Sequence, residues 1–189
     1  MSSRYSPMLA LFAEADDGAS ALAQASGLRC PTGCGHCCAH HRPHTTVSDM
    51  MLLAEEEVRA GNAEERLKQL RALPDDAPCV YFVAGRLPGG CTAYALRPLL
   101  CRLFGFSATR DKHGERALSA CHVHKREVSD AVDRASRYVS DGGAVHVMAD
   151  LQTQADAIDP DRSREQMPIN RALTLALEWA ALSAQYRTE

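Results

Sequence analysis

Residues 30 to 38 read Cys-Pro-Thr-Gly-Cys-Gly-His-Cys-Cys, so four thiols, Cys30, Cys34, Cys37 and Cys38, fall within nine positions. Thiolate is a soft donor with a high affinity for metals, and such a group can converge on zinc or on an iron–sulfur cluster. Only proline, threonine, histidine and two glycines separate the thiols. A segment with so little to bury reads as a tight loop, not as a core helix or strand. Gly33 and Gly35 let the backbone turn sharply and aim its N–H groups at sulfur. Cys37 and Cys38 are neighbours, and adjacent side chains point in different directions. One of them is therefore expected to serve a first centre, and the other a second centre or none.

The remaining thiols, Cys79, Cys91, Cys101 and Cys121, all lie in a β-prone, loop-forming stretch. Core cysteines would be scattered over helix faces instead. Eight thiols divide into two sets of four, which suits two zinc ions, a pair of clusters, or one of each. His36, His40, His41, His44, His122 and His124 flank them, and a histidine can replace a thiol. The spacing Cys30-x3-Cys34-x2-Cys37 also equals the cluster triplet of radical-SAM enzymes. Those enzymes alternate strands and helices in a barrel, and this chain has too few strand candidates.

The surrounding composition narrows the classes. The chain has 189 residues, 46% hydrophobic and 24% charged, enough for a single domain with one sizeable core. Its net charge of −3 gives no reason to expect nucleic acid or an anionic membrane. No signal-peptide pattern and no membrane-length apolar run are visible. A cytoplasmic location follows as an expectation, and there structural disulfides are rare.

The elements that must position the thiols read mostly as helices. Residues 7 to 25 carry apolar positions at helical spacing, with Gly18 as a candidate break. Ser48 and Asp49 look like caps for a helix carrying Met50, Met51, Leu53, Ala54 and Val58. A second helix runs from Ala63 to Leu73. Cys79 to Val83 reads as a strand that turns at Pro88-Gly89-Gly90 and pairs back along Cys91 to Tyr94. Pro98 opens a helical turn, and residues 104 to 120 form a loop or irregular hairpin turning at Asp111 to Gly114. After Cys121 the pattern is helical in three segments, Val123–Val139, Ala144–Ile158 and Pro168–Tyr186. The last carries Ile169, Leu173, Leu177 and Ala180 on one stripe, and Leu175, Trp179 and Leu182 off it. The lone Trp179 and the Met50-Met51 pair read as core.

Two blocks taken together, Cys30-x3-Cys34-Gly-His-Cys37-Cys38 and Cys91-x2-Tyr94-x2-Arg97-Pro98-x2-Cys101-Arg102-x-Phe104, resemble the YkgJ-type cysteine-cluster family. The resemblance covers roughly residues 28 to 126, and Cys79 and Cys121 fill its other cysteine positions. It departs from the family's CxxCxxCC knuckle by one extra residue between Cys30 and Cys34, which bears on the role of Cys30. The resemblance implies zinc or iron chelation. A more remote relative, the flagellin lysine N-methylase type, carries a similar cluster, so a cluster-dependent modifying enzyme is an alternative. No glycine-rich nucleotide loop accompanies it.

From Arg86 to Arg126 there are eight Lys/Arg against two acidic residues. Such charge can offset thiolates or form an anion-binding rim, and Arg97 and Arg102, flanking Cys101, are the candidate cofactor-binding pair. Tyr94 and Phe104 read as packing residues. The expectation is a mainly α domain with a small β-hairpin, its irregular Cys-rich loops gathered around a metal or iron–sulfur site. Residues 28–126 form the metal-binding region and 127–189 a helical scaffold. All eight cysteines are candidate ligands of a [4Fe–4S] cluster, slightly favoured, or of zinc. Redox or electron transfer competes with a structural zinc module serving a protein partner, and a small-molecule partner is a further option.

Overall fold

The structure is a computed structural model and describes residues 5–40, 43–86 and 90–186. Helix α1 spans Ser6–Ser26 without interruption. Gly18 does not break it, because the ring of His146 occupies the place of a side chain. A β carbon at Gly18 would stand 2.2 Å from His146 Cδ2. The helix ends at Gly27, whose φ of 75° closes a left-handed cap onto the Ala23 carbonyl.

The cysteine knuckle follows, and its second half is a short helix, α2 (His36–His40), where a loop is expected. The Cys38 and Ala39 amides donate to the Gly35 carbonyl, so the tight turn at Gly35 itself nucleates the helix. Strand β1 (His44–Thr45) then leads into α3 (Val47–Arg59). The N-cap of α3 is Thr46, not Ser48 or Asp49. Its hydroxyl accepts the Asp49 amide at 3.2 Å, while Ser48 and Asp49 lie inside the first turn and are buried. Every residue from Val47 to Ala54 is buried, the mark of a central helix covered all round. Met50 and Met51 are core, as their sequence context implies.

Helix α4 (Ala63–Ala72) is followed by an irregular stretch containing Cys79 and Cys91. The expected hairpin is reduced there to a single antiparallel bridge, Phe82 with Cys91. Two backbone bonds flank it, from Val83 N–H to Gly90 and from Thr92 N–H to Tyr81. Side chains anchor this segment instead. Val80 N–H donates to Asn170 Oδ1 at 2.9 Å, and the Tyr81 hydroxyl donates to Glu57 at 2.8 Å. Pro88 and Gly89 of the expected turn lie outside the described residues, as does His41.

A 3-10 turn (Tyr94–Leu96) precedes α5 (Leu99–Leu103), which Pro98 opens as expected. Strands β2 (Ala108–Arg110) and β3 (Arg116–Leu118) form the hairpin around Asp111–Gly114. The segment after Cys121 is two helices, α6 (His122–Glu127) and α7 (Ser129–Ser140), because Val128 leaves helical geometry at φ −141°. Helix α8 (Met148–Ile158) begins later than its periodicity implies. Ala144 to Val147 is not helical: Ala144 is a bend, the Val145 amide donates back to the Gly143 carbonyl, and Val147 bridges Ala108. Strand β4 (Met167–Pro168) pairs with β1 and opens α9 (Ile169–Gln185).

The principal core gathers α1, α3, α5, α8 and α9, with α3 packed chiefly on α9. A second cluster joins Leu22 and Leu28 to Ala131, Ala135 and Val139 of α7. The Ile169, Leu173, Leu177, Ala180 stripe is buried. Trp179 is not core: it is 47% exposed, with the Arg162 guanidinium 4.6 Å above its ring. Leu182 is likewise exposed, whereas Leu175, also off the stripe, is half-buried against the principal core.

Candidate metal centre

Seven cysteines, Cys30, Cys34, Cys37, Cys38, Cys79, Cys91 and Cys101, line one cavity of about 630 Å³. They arrive from four separate stretches of chain and are held by several devices. Cys30 follows the α1 cap, and Leu28 is buried just before it. Cys34 is turned back by its amide bond to the Pro31 carbonyl. Cys37 and Cys38 ride on α2, Cys79 and Cys91 on the anchored irregular stretch, and Cys101 on α5. Met50 and Leu53 of α3 contribute apolar wall, and Asp16, Ala19 and Ala23 of α1 line another part. Cys121 is the eighth thiol. It does not line the cavity but caps α6, its sulfur accepting the His124 amide at 3.4 Å.

All eight cysteines are free. Among the described residues no three His, Cys, Asp or Glu side chains already converge on one ion position. The thiols thus share a cavity without forming a closed coordination shell. Their chemistry nonetheless fits a metal: the donors are soft, numerous and electrostatically frustrated when left alone. Burial pushes Cys79 up to about 11, and Cys101 is raised by burial and then by the charges of Cys79, Cys37 and Cys91. Cys91 is raised by burial as well. Cys30 belongs to an exposed residue, yet its thiol is pushed up to about 12 by desolvation and by Cys34, Cys121 and Cys37. Cys37 alone moves down, to about 7, because Cys38 hydrogen-bonds to it, and the same bond raises Cys38. A metal would replace this shared proton and the mutual repulsion together.

Arg97 and Arg102 occupy different surroundings. Arg102 is 6% exposed and stacks over the Phe12 ring. It donates to the carbonyls of Arg97 and Ala95 and pairs with Asp16. Arg97 lies at the cavity wall, its guanidinium 3.8 Å from the Tyr94 ring centroid and 3.4 Å from Asp16. Its charge lowers the Cys30, Cys37, Cys91 and Cys101 thiols, opposing the shifts that burial imposes. Of the other basic residues, Arg110 pairs with Asp150 and Arg116 donates to the Gly143 carbonyl.

Of two further residues of this neighbourhood, one escapes a reading of the sequence and the other is there only one of six flanking histidines. Asp16 sits on α1, 86 positions from Arg102, and no motif marks it. His124 is fully buried, with Nε2 3.5 Å from the Cys30 sulfur. The spacing Cys121-x2-His124, that of a two-ligand knuckle, is the sequence feature that could have singled it out.

The chain belongs to the CxxCxxCC family, a candidate zinc- or iron-chelating domain, which matches residues 29–128. No curated protein and no solved structure matches it. Among the described residues no helix is long and apolar enough to cross a membrane.

Proposed function

We propose that the chain is a thiolate-ligated metal protein whose Cys-lined cavity holds an iron–sulfur cluster, with a redox or electron-transfer role. The observation that carries this reading is the meeting of seven thiols from four stretches of chain in one cavity. Seven thiols are more than one small ion can take, which favours a cluster or more than one centre over a single ion. Cys38, Cys79, Cys91 and Cys101 are the thiols we assign to it: each lines the cavity, and the charge of the neighbouring Cys37 acts on all four. A bound cluster would supply one-electron chemistry.

The chain's own residues do the rest. The thiols give up protons on loading, and Arg97 offsets the charge they acquire. The apolar wall of Met50 and Leu53 limits water around the centre, which with charge and hydrogen bonding sets a cluster's potential. Arg102 positions the Ala95–Cys101 segment by binding the Ala95 and Arg97 carbonyls. Full-length protein purified without oxygen is expected to be brown, with broad absorption in the blue, and to lose that colour in Cys38→Ser and Cys101→Ser. A colourless protein carrying stoichiometric zinc would replace the cluster by a zinc centre. Protein that takes up neither would end the metal reading.

A further inference from the structure

Cys30 lines the same cavity as Cys79, Cys91 and Cys101, but its sulfur also meets His124, which does not. There one donor from each of two short-spaced pairs, Cys30-x3-Cys34 and Cys121-x2-His124, comes into contact with the other. The second pair opens α6, where the Cys121 sulfur accepts the His124 amide, as a metal-knuckle sulfur does. The His124 ring is fully buried and edge-on to Phe106 at 5.1 Å. Its Nδ1 closes no good hydrogen bond, the neighbouring backbone being that of Gly105. Gly105, at φ +80°, lets the chain pass over both residues of the knuckle. A β carbon there would stand 3.0 Å from His124 Cε1 and 3.4 Å from Cys121 Cβ.

The distance from His124 Nε2 to Cys30 Sγ, 3.5 Å, has a specific meaning. Zinc bonds of about 2.3 Å to sulfur and about 2.0 Å to nitrogen, opened at a tetrahedral angle, hold the two donors about 3.5 Å apart. An imidazole and a thiol at that spacing are already placed as two corners of one tetrahedron.

We propose that His124 is the nitrogen ligand of a second, zinc-type centre completed by Cys30, Cys34 and Cys121. This rests on the metal-protein reading above and adds a centre distinct from the Cys38, Cys79, Cys91 and Cys101 group. It also gives the extra residue between Cys30 and Cys34 a use. That spacing belongs to the zinc knuckle, while Cys38 turns to the cluster side.

The test is a cobalt(II) titration of the metal-free full chain under reducing, oxygen-free conditions, with wild type, His124→Phe and His124→Cys compared. Wild type is expected to show a tetrahedral cobalt spectrum of mixed sulfur and nitrogen ligation that survives Cys101→Ser. Outer-sphere partners alone are worth about 10- to 100-fold in metal affinity, so loss of a direct ligand in His124→Phe should weaken this phase more than about 100-fold. His124→Cys should keep the phase and gain thiolate charge-transfer intensity, which also covers the case in which the phenylalanine variant does not fold. Identical spectra and affinities in wild type and both variants would overturn the assignment. A phase abolished by Cys101→Ser would overturn it too, by making the centres one. If wild type takes up iron and sulfide but shows no such cobalt phase, this centre falls while the cluster reading stands. If it binds no metal at all, both fall.

Discussion

Gly35 lies so close to Phe82 that a β carbon on the glycine would stand 2.2 Å from the ring's Cε2. The same ring edge abuts Gly90, where a β carbon would stand 2.8 Å away. Phe82 therefore joins the early knuckle to the segment carrying Cys91. Gly35→Ala is expected to displace either the ring or α2, at a cost of about 1–3 kcal/mol. Metal content should fall with it, because Cys37 and Cys38 ride on α2. Adding Phe82→Leu should recover part of both losses, so a double-mutant cycle by urea unfolding and metal analysis checks the contact.

Arg102 and Arg97 should separate stability from metal binding. Arg102→Ala leaves two carbonyls without their donor and Asp16 with only the longer Arg97 contact. The expected cost is about 2–4 kcal/mol, below that of a fully buried pair because Asp16 is 42% exposed. Arg97→Gln should change the urea midpoint little and weaken metal affinity, since it removes the cation that favours the thiolates. Equal losses of stability in the two variants would contradict this division.

The metal-free chain should lose stability in alkali. Cys30 and Cys79 keep their protons to about 12 and about 11, whereas an ordinary thiol ionises near 9.0. Between those values the folded chain binds more protons than the unfolded chain, so stability falls as pH rises from the ordinary thiol value through the folded one. Cys37, lowered to about 7, acts oppositely: its contribution is present above the ordinary value and lost as pH falls through 7. Urea midpoints across this range should decline toward high pH, and less steeply in Cys79→Ser. In the metal-free chain Cys37 should also react first with iodoacetamide, read by mass spectrometry.

The cap of α3 can be tested against its neighbour. Thr46→Ala should cost about 1 kcal/mol, because the Asp49 amide loses its acceptor. Ser48→Ala should be neutral or mildly stabilising, because the Ser48 hydroxyl is buried without a hydrogen-bond partner. Thermal melts of the two variants would distinguish them.

The helical scaffold was largely legible because its residues carry their own periodicity and punctuation. The α9 stripe, the Pro98 start and the turn at Asp111–Gly114 are local chemistry. What the sequence concealed is tertiary. Thr46 rather than Ser48 caps α3 because burial, which no local pattern reports, draws Ser48 and Asp49 into the first turn. Gly18 stays helical because a histidine 128 positions away fills its empty side. Cys79 to Tyr94 is β-prone in composition, yet Asn170 and Glu57 take two of its polar groups and leave one bridge. Trp179 misleads for the opposite reason: a large ring off the buried stripe can be covered by a single arginine. At the site, the thiols announce themselves by type and spacing. Asp16 and the His124–Cys30 approach arise only once distant segments are folded together.

The pairing of β1 with β4 has a consequence for how the molecule can be taken apart. It ties His44–Thr45, inside the stretch that defines the family, to Met167–Pro168, well outside it, and delivers α9 onto α3. Residues 29–128 expressed alone would leave α3, buried at every position from Val47 to Ala54, without the helix packed chiefly against it. That excised fragment should aggregate or recruit a surrogate helix, so any minimal metal-binding version of this protein has to carry its carboxy-terminal helix with it.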